Sequence, residues 1–186
     1  MDNLDKKIIS ILQEDGRASL SSIGKEVGVS HVAVSKRLEN LCEKLVKVSA
    51  GLNTEHLGFR IAIVNAEVET PQRLRELVDM FSKCPRITFL TTTTGAYNLM
   101  TFMVAEDADT LNAIIDVCSV RAQKGIRRSE ATIGEAPVIP KYLPIKIVAN
   151  KEDEDAPCKI NCGKCLRYQE KKCLGCPATK YYRGPL

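Results

Sequence analysis

Residues 19–41 read Ser-Leu-Ser-Ser-Ile-Gly-Lys-Glu-Val-Gly-Val-Ser-His-Val-Ala-Val-Ser-Lys-Arg-Leu-Glu-Asn-Leu, and this stretch decides the fold of the first part of the chain. Ile23 and Val27 lie four residues apart, so they share one face of a short helix. Gly28 can adopt the left-handed conformation that ends a helix, and Ser30 is a good N-cap for the next one. The pattern predicts two helices joined by a tight turn.

The second predicted helix has an apolar face and a polar face. Its apolar positions recur at helical spacing and are expected to pack on the first helix; they are Val34, Leu38, Leu41 and Leu45. A polar helix presented N-terminus first is typical of the element that enters a DNA major groove. The predicted DNA contacts are therefore the outward-facing residues of its first turns, namely Ser30, His31, Val32, Ser35, Lys36 and Arg37. An ordinary helical hairpin with a solvated face is the alternative, which the Gly-Val-Ser turn disfavours.

A further helix precedes this pair. Its apolar stripe is closed by Asp15-Gly16 and consists of Leu4, Ile8, Ile11 and Leu12. Three helices provide the smallest core that a helix-turn-helix module needs, so residues 1–50 are predicted to form a DNA-binding domain.

Composition and charge set broad limits on the protein. The chain has 186 residues, of which 44% are hydrophobic and 27% charged, as in ordinary globular proteins. The net charge of +4 divides into +1 for residues 1–50, 0 for 51–150 and +3 for 151–186. No apolar run approaches the roughly 20 residues that span a bilayer, and no leader pattern opens the chain. We therefore expect a cytoplasmic protein with no membrane partner.

Residues 58–145 show a βαββαβ pattern behind a short hinge at 51–57. Strands are predicted at 59–68, 86–94, 97–105 and about 126–134. The helices between them begin at Thr70-Pro71 and at Asp107 or Asp109. This order is the split βαβ arrangement of a ferredoxin-like sheet with helices on one face. Because the first strand is apolar on both faces, the other face is predicted to meet a second copy of the chain in a homodimer.

The chain resembles the leucine-responsive / asparagine-synthesis regulator (Lrp/AsnC) family of transcription factors over about residues 1–145. The residues that carry the resemblance are Leu4-Asp5, Ile8–Leu12, 13–17 (Gln-Glu-Asp-Gly-Arg), Val29-Ser30, 35–38 (Ser-Lys-Arg-Leu) and 94–98 (Thr-Gly-Ala-Tyr-Asn). The resemblance implies an α+β protein with a winged helix-turn-helix domain and a ferredoxin-like effector domain, assembled as dimers or higher oligomers. It also implies binding of double-stranded DNA and of a small effector, often an amino acid.

The effector is expected at the loop that holds Gly95, Tyr97 and Asn98. The family usually carries Asp at the position of Asn98, and that carboxylate is absent here. A plain turn between two strands is the alternative for this loop.

A cysteine-rich tail at 158–186 follows a charged linker at 146–157 and departs from the family pattern. Two C-x-x-C pairs offer four thiolates, Cys162, Cys165, Cys173 and Cys176, which is typical of a tetrahedral zinc site. An iron–sulfur cluster uses the same ligands. Cys158 is a possible extra ligand, because the spacing of Cys158, Cys162 and Cys165 resembles the cluster motif of radical S-adenosylmethionine enzymes.

The remaining cysteines, Cys42, Cys84 and Cys118, are predicted to be small core residues. A set of disulfides is disfavoured, because the chain is expected in a reducing compartment.

Three functions are compatible with these features. The first is a sequence-specific DNA-binding transcriptional regulator with a zinc-stabilised tail. The second is a redox-sensing regulator with an iron–sulfur cluster in the tail. The third is a metal-dependent enzyme with a helix-turn-helix module. The third is disfavoured because neither of the two histidines, His31 and His56, accompanies a nucleophile motif. We therefore expect a regulator and not an enzyme.

Overall fold

The computed structural model describes residues 1–186, and they form two compact units, Met1–Ala50 and Gly51–Leu186. None of the helices combines the length and the hydropathy needed to span a bilayer.

The first unit consists of three helices, α1 (Asn3–Glu14), α2 (Leu20–Val27) and α3 (His31–Lys44). Their centre is formed by Ile8, Ile23 and Val34, one from each helix and each at most 1% exposed. The helix boundaries follow local signals. Gly28 ends α2 at φ +79°, and the Ser30 hydroxyl accepts the Ala33 N–H at 3.2 Å.

Two expectations for this unit are corrected by the structure. Leu45 follows α3 as its C-cap and is 62% exposed, so it does not join the apolar face of that helix. No strand follows α3 within residues 1–50, so the wing expected from the family is absent from this unit. The next strand, β1 (Leu52–Asn53), instead pairs with β6 (Tyr142–Leu143) inside the second unit.

The second unit is built on a four-stranded antiparallel sheet of order β3-β4-β2-β5. Its strands are β2 (Arg60–Val68), β3 (Ile87–Thr92), β4 (Leu99–Ala105) and β5 (Ile126–Gly134). Two helices lie between them, α4 (Pro71–Ser82) and α5 (Ala108–Ala113), and α5 continues as one π-helical turn over Ile114–Cys118. The chain therefore has the predicted α+β, ferredoxin-like βαββαβ order.

The helices cover one face of this sheet. Alternate residues of β2, namely Ala62, Val64 and Ala66, are fully buried beneath Leu77 and Phe81 of α4 and Leu111 of α5. The opposite face carries Ile63, which lies beside Phe102 in the strand register. Both side chains are half-buried, and Phe89, whose ring centroid lies 5.3 Å from that of Phe102, is 47% exposed. This apolar face is called the open face below.

The residues after β5 fold back onto the sheet. Leu143, Ile145 and Leu186 pack with Phe59 and Val104 at the end of the sheet where β2 begins. Ala156 and Cys158 join the cluster beneath α4. The tail also contains a short helix, α6 (Leu166–Gln169). The tail is thus packed into the second unit.

Candidate nucleic-acid interface and cysteine cavity

The turn between α2 and α3 fixes the direction in which α3 presents its first residues. Gly24 is buried in α2, and a Cβ at this position would lie only 2.7 Å from the Val29 carbonyl oxygen. The close approach therefore needs glycine here. Sequence reasoning identified Gly28 in this turn but missed Gly24, because a glycine inside a helix gives no turn signal.

The six predicted DNA-contacting residues lie together at the N-cap and on the first turns of α3. They differ in whether their side chains are free to contact DNA. His31, Val32 and Lys36 are exposed, and Lys36 makes no hydrogen bond or ion pair within the chain. The Ser30 hydroxyl caps the helix, and the half-buried Ser35 hydroxyl donates to Glu39 Oε1 at 2.9 Å. Serine contacts with DNA would therefore compete with these bonds.

Arg37 is directed towards α1. Its Nη1 lies 2.7 Å from Asp2 Oδ2 and 2.8 Å from Asp5 Oδ1. Asp2 and Asp5 also form a capping box at the start of α1, each accepting the backbone N–H of the other at 2.9 Å. These backbone bonds, followed by the guanidinium, lower the pKa of both carboxyl groups. Arg37 thus joins α3 to α1, a contact that helix periodicity alone did not reveal.

The predicted effector loop is a turn between β3 and β4. Gly95 has φ +124°, and the Tyr97 ring lies 5.2 Å from the Arg128 guanidinium carbon. Asn98 is engaged by the backbone: its Oδ1 accepts the Val68 N–H at 2.8 Å, and its Nδ2 donates to the Val68 carbonyl at 2.9 Å. The Asn98 amide therefore joins the start of β4 to the end of β2.

Seven of the eight cysteines line one cavity of about 40 Å³ in the second unit. Four are the predicted ligands Cys162, Cys165, Cys173 and Cys176, called the tail thiols. The other three, called the inner thiols, are Cys84, Cys118 and Cys158. Cys84 and Cys118 were expected to be core residues, and their burial agrees with this, but both also line the cavity that the tail thiols line. Cys42 is exposed on α3, so its expected place in a core is wrong.

Backbone N–H groups donate to the sulfur atoms of the tail. The Gly175 N–H donates to Cys173 Sγ at 3.4 Å, and the Cys176 N–H donates to Cys162 Sγ at 3.3 Å, which links the two C-x-x-C pairs. Gly175 has φ +86°, so the turn depends on its missing side chain. Such donors favour the thiolate form, but burial outweighs them and raises the pKa of Cys162, Cys173 and Cys176. As the side chains stand, no three of the Cys, His, Asp or Glu residues converge on a point that could hold a metal ion.

A buried polar network holds the tail against the sheet. Arg86 and Glu106 form a 2.6 Å ion pair in which both side chains are at most 5% exposed. Arg86 Nη2 also donates to the Gly175 carbonyl at 2.8 Å, and the Tyr182 hydroxyl donates to Glu106. Burial and the hydrogen bond to this carboxylate raise the pKa of Tyr182. The second C-x-x-C turn is thus fixed to the end of β4.

A helix-turn-helix unit followed by a ferredoxin-like domain defines a two-domain DNA-binding regulator. Residues 1–41 match the model of the AsnC-type helix-turn-helix domain. The regulator FL11 of Pyrococcus furiosus is 32% identical over 120 residues, which are 63% of this chain and 79% of FL11. The chain belongs to the Lrp/AsnC family of transcriptional regulators, which are not enzymes.

A further relative and two solved structures are similar to this chain over 72–74% of its length. The regulator LysM of Sulfurisphaera tokodaii is 28% identical over 137 residues, which are 72% of this chain and 94% of LysM. The structure of E. coli AsnC has a TM-score of 0.62 at 18% identity. The match covers 72% of this chain and 91% of the AsnC chain. The structure of a Neisseria meningitidis regulator in complex with L-Met has a TM-score of 0.63 at 20% identity. The match covers 74% of this chain and 92% of the Neisseria chain.

Proposed function

We propose that the protein binds specific DNA sequences as a dimer or higher oligomer and carries a thiolate-bound metal in its tail. The observation that carries the DNA-binding part is the exposed first turns of α3, where His31 and Lys36 are free of intramolecular partners. His31 can donate or accept a hydrogen bond at a base edge, whereas Lys36 neutralises phosphate. Arg37 contributes to phosphate binding only if it leaves Asp2 and Asp5.

The symmetry of the DNA site that the protein binds follows from the geometry of a dimer. Two copies of α3 related by a twofold axis reach major grooves separated by about one helical turn or a multiple of it. The preferred DNA site is therefore roughly palindromic. The open face supports dimerisation, because an apolar sheet face of this kind is costly to leave in water.

The tail metal is proposed from the chemistry of the tail thiols. Four thiolates in two C-x-x-C pairs suit zinc, and basic side chains of the tail such as Lys164 and Lys171 would offset the negative charge of such a site. An iron–sulfur cluster is the second candidate, and it would make the protein a redox-sensing regulator. Metal analysis together with a visible spectrum distinguishes the two, since zinc thiolates are colourless and clusters are brown.

A small-molecule effector, such as an amino acid, is proposed from the relatives. One related structure contains L-Met, and that finding belongs to the Neisseria protein. In this chain the Asn98 amide is used by the backbone, and Arg128 is bound to Glu67 and to the Ala96 carbonyl. Tyr97 is therefore the side chain of the predicted effector set that a ligand would meet. A thermal-shift screen with the twenty amino acids tests the proposal, and Tyr97→Ala is expected to abolish any shift.

The DNA-binding proposal is tested by selecting bound sequences from a random DNA pool with the full-length protein. We expect enrichment of a roughly palindromic site by the wild-type chain and by Cys42→Ser, which alters an exposed thiol. The double variant His31→Ala/Lys36→Ala should lose this enrichment. Retention of scrambled oligonucleotides as strongly as selected ones would refute sequence-specific binding.

A further inference from the structure

The inner thiols come from three segments that are distant in sequence. Cys84 follows α4, Cys118 ends the π-helical turn after α5, and Cys158 lies in the tail. The fold brings these three side chains to the cavity that the tail thiols also line. Two of the three inner thiols therefore belong to the ferredoxin-like sheet domain and not to the tail.

The inner thiols are mutual neighbours. Cys118 lies within hydrogen-bonding reach of Cys158. Cys84 lies close enough to Cys158 and Cys118 for their charges to interact. Cys176 connects the two sets of thiols, because both Cys84 and Cys162 are near enough for their charges to act on it.

Seven neighbouring sulfur donors exceed what one tetrahedral ion uses. Zinc bonds four sulfurs at about 2.3 Å, so the sulfurs around one zinc ion lie within roughly 4 Å of each other. The seven thiols surround a volume and do not converge on one point. A centre with several metal atoms suits this arrangement better, because its ligands lie apart on different sides of the metal core.

The cavity is lined mainly by cysteines and apolar side chains, and its one buried basic residue, Arg86, is already paired with Glu106. Arg86 lines the cavity, is 3% exposed and lies close enough to Cys176 for their charges to interact. Arg86 Nη2 donates a hydrogen bond to the carbonyl of Gly175, the residue that precedes Cys176. The remaining lining is largely apolar, as at Met103, Ile114 and Val117, which keeps water from the sulfur atoms.

We propose that the inner and tail thiols together bind one polynuclear thiolate centre, which joins the tail to the helix layer of the sheet domain. The centre is either a pair of zinc ions that share Cys176 or an iron–sulfur cluster, and in both cases its metals are soft enough to prefer thiolates. This inference rests on the tail metal proposed above and extends its ligand set to Cys84, Cys118 and Cys158.

The test is metal and acid-labile sulfide content per chain in the full-length protein, purified without oxygen. We expect two or more metal atoms per chain in the wild type and in the control Cys42→Ser. The variants Cys84→Ser and Cys118→Ser should each lose at least one of them. Sulfide with absorbance near 400 nm identifies a cluster, whereas two zinc ions without sulfide identify the pair.

Other outcomes separate this inference from the tail metal itself. One metal atom in the wild type that persists in Cys84→Ser and Cys118→Ser overturns the polynuclear centre and leaves the tail site standing. Absence of metal from every sample refutes both. If the variants fail to fold, titration of the wild-type apoprotein with Co²⁺ decides the matter. An end point of two equivalents in the thiolate-to-cobalt band supports the inference, whereas an end point of one, together with failure to take up acid-labile sulfide when Fe²⁺ and sulfide are supplied, contradicts it.

Discussion

At the scale of single residues, Asn98 shows why an amide stands where the family usually has a carboxylate. Its side chain both accepts from the Val68 N–H and donates to the Val68 carbonyl. A carboxylate can accept but cannot donate, so it would face the carbonyl oxygen without a proton between them. The departure from the family pattern therefore has a structural reason that the sequence alone did not disclose.

We predict that Asn98→Asp destabilises the second unit by about 1–3 kcal/mol, the cost of leaving a buried acceptor unsatisfied next to a charge. Urea unfolding followed by circular dichroism measures the change. Asn112→Asp, which introduces the same charge at an exposed position of α5, is the matched control and should change the stability little. Equal effects of the two substitutions would contradict the assigned role of the Asn98 amide.

Lys36 and Arg37 are adjacent basic residues with different surroundings. Lys36 is exposed without a partner, whereas Arg37 is paired with Asp2 and Asp5. The sequence predicted both as phosphate contacts, since nothing in the periodicity of α3 shows that two acidic residues 32 and 35 positions earlier lie beside Arg37.

Lys36→Ala is predicted to weaken binding to all DNA sequences alike and to reduce the salt slope by about one unit, because one phosphate contact is lost. Arg37→Ala should leave the slope nearly unchanged and lower the unfolding temperature of the first unit. Binding measured by fluorescence anisotropy between 50 and 300 mM salt, together with thermal melts, separates the two effects. A full unit of slope lost in Arg37→Ala would show that this guanidinium reaches the DNA.

At the scale of elements, local signals predicted helix ends and strands well. Thr70 and Asp107 cap α4 and α5 as expected, and β5 spans the predicted residues 126–134. The pairing of β1 with β6 was missed, because each strand has two residues and the partners are about 90 positions apart. The wing was expected from the family, and residues 46–50 contain no strand that could form it.

Gly24 determines how closely α2 approaches the turn. Gly24→Ala would place a Cβ 2.7 Å from the Val29 carbonyl oxygen, and the backbone must shift to relieve the clash. We predict a loss of about 1–3 kcal/mol in the stability of the first unit, together with weaker DNA binding. Ser21→Ala, an exposed substitution on the same helix, should leave both unchanged. Wild-type DNA affinity in Gly24→Ala would show that the turn tolerates the shift.

The acidic cap of α1 makes the first unit sensitive to low pH. Reciprocal backbone bonds, with Arg37 contributing, lower the pKa values of Asp2 and Asp5. Their contribution to stability is therefore complete above the ordinary aspartate pKa and is lost as the pH falls through the lowered values. We predict faster hydrogen exchange of the α1 amides relative to the intrinsic rate below about pH 4. The variant Asp2→Asn/Asp5→Asn should show little of this pH dependence, and an unchanged profile would contradict the assignment.

At the scale of the whole molecule, the open face is the surface with which we expect a second copy to associate. Ile63, Phe89 and Phe102 are apolar and only partly covered within one chain. The sequence predicted this face from the unbroken apolar character of β2. It could not predict that Leu143, Ile145 and Leu186 would cover the neighbouring end, because that contact depends on the path of the residues after β5.

Phe102→Asp is predicted to convert the protein to a monomer at micromolar concentration, because a charge placed in an apolar interface is costly to desolvate. The molar mass from light scattering should fall to one half or less of the wild-type value. Ile133→Asp is the matched control, since Ile133 is 55% exposed and lies opposite Ala62, on the side of the sheet that carries the helices. A wild-type mass for Phe102→Asp would exclude the open face as the dimer interface.

The cysteine cavity could not be predicted from the sequence, because its lining residues come from distant segments of the chain. The spacing of the tail thiols was visible in the sequence, but Cys84 and Cys118 gave no motif because each is a single cysteine in its segment. Only the packing of the tail between the ends of α4 and α5 brings them to the same cavity. Sequence reasoning therefore identified the part of the site that is local and missed the part that is tertiary.

The β1–β6 pair has a practical consequence for laboratories that wish to study the effector region by itself. A recombinant fragment covering only residues 58–145 would lack Leu52–Asn53, the strand that pairs with Tyr142–Leu143. It would also lack Leu186, which covers Phe59 and Val104, so the exposed apolar surface would promote aggregation during expression. Cloning should instead begin at or before Gly51 and run through Leu186, so that the short ribbon and the returning tail are retained together.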